Sequence, residues 1–257
     1  MTSRIILLKN RIYADYFMKN RFEEYRNILE KFVENGFIFQ PICQFHKMNK
    51  SKKCLFLRHD IDSEPEIAYK LFEIESHLGI KSTYYFRWYT YRSDIIQSIN
   101  ASGSEVGYHY EEGADFAKQH HIKQTADTFS HQEEIEALFC ENIKKFELLS
   151  NFKLQSVASH GDWKNRQLQI TNKALIRPEV FEKLGLIEAY DIEPGLDFRI
   201  ADKPWPEFWN PKPPENILCC QDKNTGLILI HPRQWCSNPR ARIKLDAGRI
   251  LEAVKYR

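Results

Sequence analysis

From Cys54 onward, short apolar runs alternate with amphipathic segments, and this alternation constrains the fold more than any other feature. "CLFLRHD" reads as a strand. "SEPEIAYKLFEIESHLG" reads as a helix, with Ser63 as its cap, Pro65 and Glu66 in its first turn and Gly79 at its end. Further strands are predicted at "IKSTYYFRW", "SEVGYHY", "LQSVASHG", "LIEAYDI", "DFRIAD" and "GLILIHPRQW". Between and after them, "SDIIQSINASG", "TFSHQEEIEALFCENIKKFELLS", "NKALIRPEVFEKLG" (broken near Pro178) and "ARIKLDAGRILEAVKYR" read as helices. Strands that alternate with helices run parallel, joined by right-handed crossovers. About seven such strands fit either an open doubly wound sheet or a barrel of about 250 residues. "RHDIDSEPE" is acidic where a nucleotide-binding turn would offer backbone amides, which favours the barrel. The expectation is one α/β domain over residues 1–257, a distorted (β/α) barrel of about seven parallel strands.

Residues 1–50 form an extension packed on that barrel. In "YADYFMKNRFEEYRNILEKFVENG", Phe17, Phe22, Tyr25, Ile28, Leu29 and Phe32 recur at helical steps and Gly36 ends the run, so one helix is predicted. "FIFQPI" is a short strand weakened by Pro41. Pro204–Pro214 holds five prolines and two tryptophans and reads as a packed loop. A net charge of +2, with one interrupted basic run at 46–53, gives no nucleic-acid stripe. No apolar run approaches the roughly 20 residues of a membrane span. The four apolar residues Ile5–Leu8 fall short of the about 7–15 of a secretion signal, so a cytoplasmic location is expected. The six cysteines show no C-x-x-C spacing and are expected as buried thiols.

The strands share one habit: each apolar run ends on side chains suited to chemistry. The first ends in His59, Asp60 and Asp62, and the second at Arg87. The third ends at His109, followed by Glu111 and Glu112; the fourth ends at His160 and the last at His231. Alone, any of these reads as a capping or hydrogen-bonded residue. In a parallel α/β barrel, however, all C-terminal strand ends meet on one face. Two carboxylates and three or four imidazoles gathered there suit a divalent metal: zinc, or iron, cobalt or nickel. His59 alternates with Asp60 and is expected to point to the other side of the sheet.

Taken in order, "RHDID", "GIKSTYYFR", "SEVGYHYE", "SHGDW", "GLIEAYDI" and "LILIHPRQW" resemble the polysaccharide deacetylase superfamily, whose domain is the NodB-type distorted barrel. The closer likeness is to its Arg-His-Asp-Val-Asp branch, associated with surface-polysaccharide clusters. The resemblance implies a metal-dependent N-deacetylase of a sugar, nucleotide- or lipid-linked, in O-antigen or capsule biosynthesis. Asp60 falls at the position of the catalytic base and Asp62 at that of a metal ligand, with the roles exchangeable; His231 matches the general acid. Arg87 or Arg58 would pair with the base, and Asp202 or Asp191 would orient His231. The family has adjacent aspartates where Ile61 intervenes here, and a second histidine where Gly113 stands. His160, or failing it Glu111, would complete a metal set with Asp62 and His109, zinc being favoured. Tyr110, Glu111, Trp163 and Trp235 are candidates for holding substrate, with Tyr108, Trp205 and Trp209 as further rings for a sugar-stacking rim. Deformylation, hydrolysis of another non-peptide amide, or carbohydrate binding without catalysis are the other readings.

Overall fold

The computed structural model describes residues 2–49, 51–220 and 222–256. Its strands are β1 (Ile38–Gln40), β2 (Cys54–Ile61), β3 (Thr83–Phe86), β4 (Glu105–Tyr110), β5 (Ser156–Ser159), β6 (Ile187–Glu188), β7 (Phe198–Asp202), β8 (Trp209–Asn210) and β9 (Thr225–Ile230). They form one nine-stranded sheet in the order β6-β5-β4-β3-β2-β9-β7-β8, with β1 beside the start of β2. Every pairing is parallel except β7 with β8. The sheet is curled, and its end strands β6 and β8 do not pair, so the expected distorted barrel is a half-barrel. The proline-rich stretch is not wholly irregular, because it supplies the short antiparallel β8.

Side chains of a strand alternate between faces, and here the two faces differ in kind. On the convex face Leu55 and Leu57 of β2, Tyr84 and Phe86 of β3, and Tyr108 and Tyr110 of β4 join the large apolar layers beneath the helices. On the concave face Phe56, Tyr85, Ala158, Ala201, Leu227 and Leu229 make a small floor. The helices Pro65–His77, Ser93–Ala101, Gln132–Ser150 and Pro178–Leu184 cover the β2–β5 part of the convex face.

No long crossover helix joins β7 to β9, because the connection carries the prolines. The apolar residues Phe198, Ile200, Ile228 and Ile230 would otherwise face water. The helix Phe22–Glu34 lies there instead and buries Tyr25, Ile28, Leu29 and Phe32 against them. Each such side chain is worth roughly 1.5–3 kcal/mol of burial.

Several local expectations change. The single N-terminal helix is two, Thr2–Tyr16 and Phe22–Glu34. The break follows from a tertiary contact: the Arg21 backbone N–H donates to the Trp235 carbonyl (2.8 Å), and its guanidinium lies over Phe208 and Trp235. Phe17, in phase with the buried stripe, is left exposed. The helix at Pro65 starts after Glu64 in a left-handed conformation (φ 58°), with no side-chain cap from Ser63. The long helix expected from Thr128 is interrupted at His131. Among the cysteines only Cys54 is buried; Cys219 and Cys220 are exposed and the rest are half-buried, all as free thiols.

Candidate metal centre

The two-residue strand period explains which side chains meet. Arg58, Asp60 and Asp62 follow Phe56 on the concave side, as Arg87 follows Tyr85 and His160 follows Ala158. His109 and His231 occupy the same phase on β4 and just beyond β9. Ile61 therefore does not separate the aspartates in space. It points into the convex core, and its neighbours share one face.

Asp62, His109 and His160 converge. The Asp62 Oδ1 lies 3.4 Å from His109 Nε2 and 3.1 Å from His160 Nδ1, and the two ring nitrogens are 3.3 Å apart. Donors about 2.1 Å from one ion stand about 3.0 Å apart at octahedral angles and about 3.4 Å apart at tetrahedral ones. These three can hold a metal ion. The protonation pattern points the same way. His109 Nδ1 lies 2.9 Å from the Ala158 carbonyl, which can only accept, so the proton sits on Nδ1 and Nε2 presents a lone pair. In neutral His109 that lone pair faces the Asp62 carboxylate, an acceptor against an acceptor, and a cation between them relieves the repulsion.

Gly113 has its own explanation. It lies on the helix Glu112–Gln119, a short element without sequence periodicity that the motif reading did not anticipate. A Cβ there would fall 2.4 Å from Leu175 Cδ1 and 2.9 Å from Asn172 Oδ1. Asn172 uses the space: it accepts from the Ala114 N–H (2.8 Å) and donates to the His160 carbonyl (2.7 Å). What excludes a histidine at 113 thus helps to seat the imidazole of His160.

Asp60 is clamped by Arg58 through two hydrogen bonds of 2.7 and 2.8 Å, both partners buried. Burial alone would raise its pKa, but the Arg58 charge and then His109 outweigh that and hold it below the usual carboxylate value. Asp62, open to the cleft, is also held well below it: burial opposes ionisation, and His160 and His109 favour it more strongly. Arg58 in turn lies beneath the Tyr190 ring (4.3 Å), a contact no motif announced.

Arg87 does not pair with Asp60. It binds Glu111 at 3.0 and 2.5 Å and donates to the Asp62 carbonyl at 3.1 Å. It braces the Asp62 backbone, and Glu111 is occupied by it rather than offered to a substrate. The Glu111 carboxylate also approaches His160 Nε2 at 3.9 Å.

Asp202, not Asp191, orients His231. It accepts from His231 Nδ1 (2.7 Å), from the His231 backbone N–H (2.8 Å) and from the Trp235 indole (3.0 Å). Asp191 is exposed and bound to Lys173. Burial alone would lower the His231 pKa; the Asp202 charge overrides it and, with Asp62 and Asp60, raises it to about 9.

The aromatic rim is smaller than expected. Tyr110 is fully buried on the convex face against Phe139 and Phe181, and Trp235 is fully buried beside Tyr25 and Trp209, so neither has a face free for a sugar. Strand parity counts against Tyr110 from the sequence alone, since it is one residue from His109. Tyr108 is likewise buried, and Trp209 packs on Trp235. Trp163 and Trp205 remain. Trp163 lines a cavity of about 750 Å³ with Asp62, Arg87 and His160. Trp205 lines another of about 610 Å³ with Asp62 and His231. The cleft thus extends to both sides of Asp62.

No protein-family model matches the chain. No curated protein matches it either. Solved structures similar to it include a mutant of a CE4 family pseudoenzyme with restored enzymatic activity (14% identity, TM-score 0.45, covering 78% of this chain and 65% of that one). The wild-type pseudoenzyme from Bacillus anthracis follows (14%, 0.41, 78% and 63%), with a family 4 carbohydrate esterase from Bacillus anthracis (12%, 0.41, 91% and 87%). The chain spans less than two thirds of the first two. These neighbours are CE4 proteins at low sequence identity.

Proposed function

We propose that the protein is a metal-dependent N-deacetylase that removes an acetyl group from an amino sugar, the sugar being a unit of surface-polysaccharide biosynthesis. The observation that carries the reading is the meeting of Asp62, His109 and His160 within 3.1–3.4 Å, between an ionised Asp60 and a protonated His231. A divalent cation held by those three, with zinc suited to two imidazoles and a carboxylate, supplies polarisation of the amide carbonyl and a water whose pKa falls toward about 7.

The chain's residues do the rest. Asp60 stands beside the triad, 3.6 Å from His109 Nε2, and takes the proton of the attacking water. Arg58 fixes its carboxylate in one orientation and keeps it ionised. His231 lies across the cleft wall and hydrogen-bonds Asp202 through Nδ1, which leaves Nε2–H to protonate the departing amine. An amide nitrogen is a poor leaving group without that proton. Trp163 and Trp205 offer flat apolar faces on opposite sides of Asp62, as a sugar ring requires.

The test is acetate release from N-acetylated sugars, free and nucleotide- or lipid-linked, by protein reconstituted with zinc, cobalt or nickel. The reading predicts acetate in proportion to bound metal. Formate from an N-formyl sugar would keep the chemistry and change the acyl group. Failure to bind any of these ions at micromolar concentration would overturn it.

A further inference from the structure

The two helices that edge the cleft differ from every other helix in what they show to water. On Pro239–Lys255 the residues Ile243, Ile250 and Val254 fall at steps of seven and four, on one face of the helix, and are 61%, 66% and 71% exposed, with Leu251 beside them. On Thr2–Tyr16 the residues Ile5, Leu8 and Ile12 recur at steps of three and four and are exposed as well, and Phe17 follows at 70%. A monomeric protein rarely leaves so much contiguous apolar surface open.

The charges of these helices are sorted. Their carboxylates turn inward: Asp246 binds Arg11 (2.8 Å) and Tyr16 (3.2 Å), Asp15 meets Arg233 and Arg242, and Glu252 binds Lys118 (2.8 Å). Among the described residues of the two helices, every charged side chain that is exposed is basic: Lys9, Arg11, Arg240, Lys244, Arg249 and Lys255. An apolar stripe beside one sign of charge suits an element that lies in the headgroup layer of an anionic bilayer. It does not suit an isologous contact between two copies, where these cations would face each other.

We propose that the helices Thr2–Tyr16 and Pro239–Lys255 together form a surface that seats the protein on an anionic membrane without crossing it. The same helices supply Leu7, Arg11, Lys244 and Arg249 to the walls of the cleft, so the candidate metal centre opens next to the seated face. A sugar carried on a lipid phosphate would then reach Asp62 without leaving the surface. That consequence rests on the deacetylase reading; the membrane seating does not.

Vesicle flotation tests the seating directly and needs no catalysis. The full chain should float with vesicles of phosphatidylcholine and phosphatidylglycerol and partition at least tenfold less onto phosphatidylcholine alone. The double variants Ile250→Asp with Val254→Asp, and Arg240→Glu with Lys255→Glu, change exposed side chains only. Each should cut partitioning at least tenfold with the melting temperature unchanged. Equal partitioning of wild type with and without vesicles overturns the proposal, as does binding that ignores both variants. A dimer that forms without lipid and is abolished by the apolar double variant would overturn it too, assigning the face to a second copy.

Discussion

His59 and Asp60 are neighbours in β2, yet each belongs to a different buried polar cluster, and the two clusters are built on opposite logic. On the convex side Glu75 is surrounded by donors. Tyr25 (2.5 Å), Tyr84 (2.6 Å), His59 (2.9 Å) and Ser82 all reach its carboxylate, and the His59 ring stacks on Tyr84 at 4.2 Å. Burial alone would raise the Glu75 pKa; His59 and the hydroxyls reverse that and hold it below the usual value. On the concave side acceptors face acceptors: the carboxylate of Asp62 and the lone pair of His109 point at one another, and the cluster opens to a cleft. The first cluster is complete within the protein. The second is complete only with a cation. Buried polar groups are satisfied where they serve the fold, so the deficit on the concave side marks the place for chemistry.

The comparison breaks most sharply at the concave cluster. Asp62→Ala or His109→Ala should lower hydrolysis by more than about 10³-fold and abolish stoichiometric metal binding. The melting temperature of the metal-free protein should stay the same or rise, because a repulsive contact is removed. Elemental analysis with calorimetry checks both. A large loss of stability from either variant would mean that this cluster, too, is structural.

The converse variant is Glu75→Ala. It strands three hydroxyls and an imidazole in the core and should cost about 3–5 kcal/mol of stability. The activity of the molecules that remain folded should be unchanged. Chemical denaturation and the rate per folded molecule separate the two effects, and a fall in that rate would place Glu75 in the catalytic machinery.

Asp202→Asn tests the outer wall of the cleft. With His231 at about 9, the alkaline limb of kcat/KM lies near that value, since the acid is lost as pH rises through it. Without the Asp202 charge, the limb should fall toward the ordinary imidazole value of about 6.5. The sign for stability is the same. A raised histidine pKa contributes stability that is full below about 6.5 and is lost through about 9. An unmoved limb would remove His231 from the role of acid.

Much of this contrast is readable from strand period. Counting by twos from Asp60 puts Asp62 on its side and His59 opposite, and β3, β4, β5 and β9 obey the same rule. The same count excludes Tyr110. What it cannot reach lies beyond strand ends or depends on distant packing. Trp235 sits past β9, in a turn without periodicity, and its indole finds Asp202 only because β7 pairs with β9. The helix Glu112–Gln119 is too short to show a pattern, so the reason for Gly113 emerges only when Leu175 and Asn172 pack against it. The break before Phe22 is set by Arg21 meeting Trp235, more than two hundred residues away in sequence.

The smallest effect is expected at Tyr25, and it sharpens the comparison most finely. Its hydroxyl is one of the donors on Glu75, and its ring packs edge-on against Trp235 at 5.0 Å. Tyr25→Phe keeps the ring and the packing of the N-terminal helix and removes one hydrogen bond to a buried carboxylate. The other donors remain, so the loss should be about 1.5 kcal/mol, well below that of Glu75→Ala. Because Trp235 also holds Asp202, a disturbance passed along that contact would appear as a shift in the alkaline limb. The satisfied cluster predicts none: the denaturation midpoint moves and the pH profile does not. A shifted profile would show that the two faces of the sheet are coupled through Trp235 rather than independent.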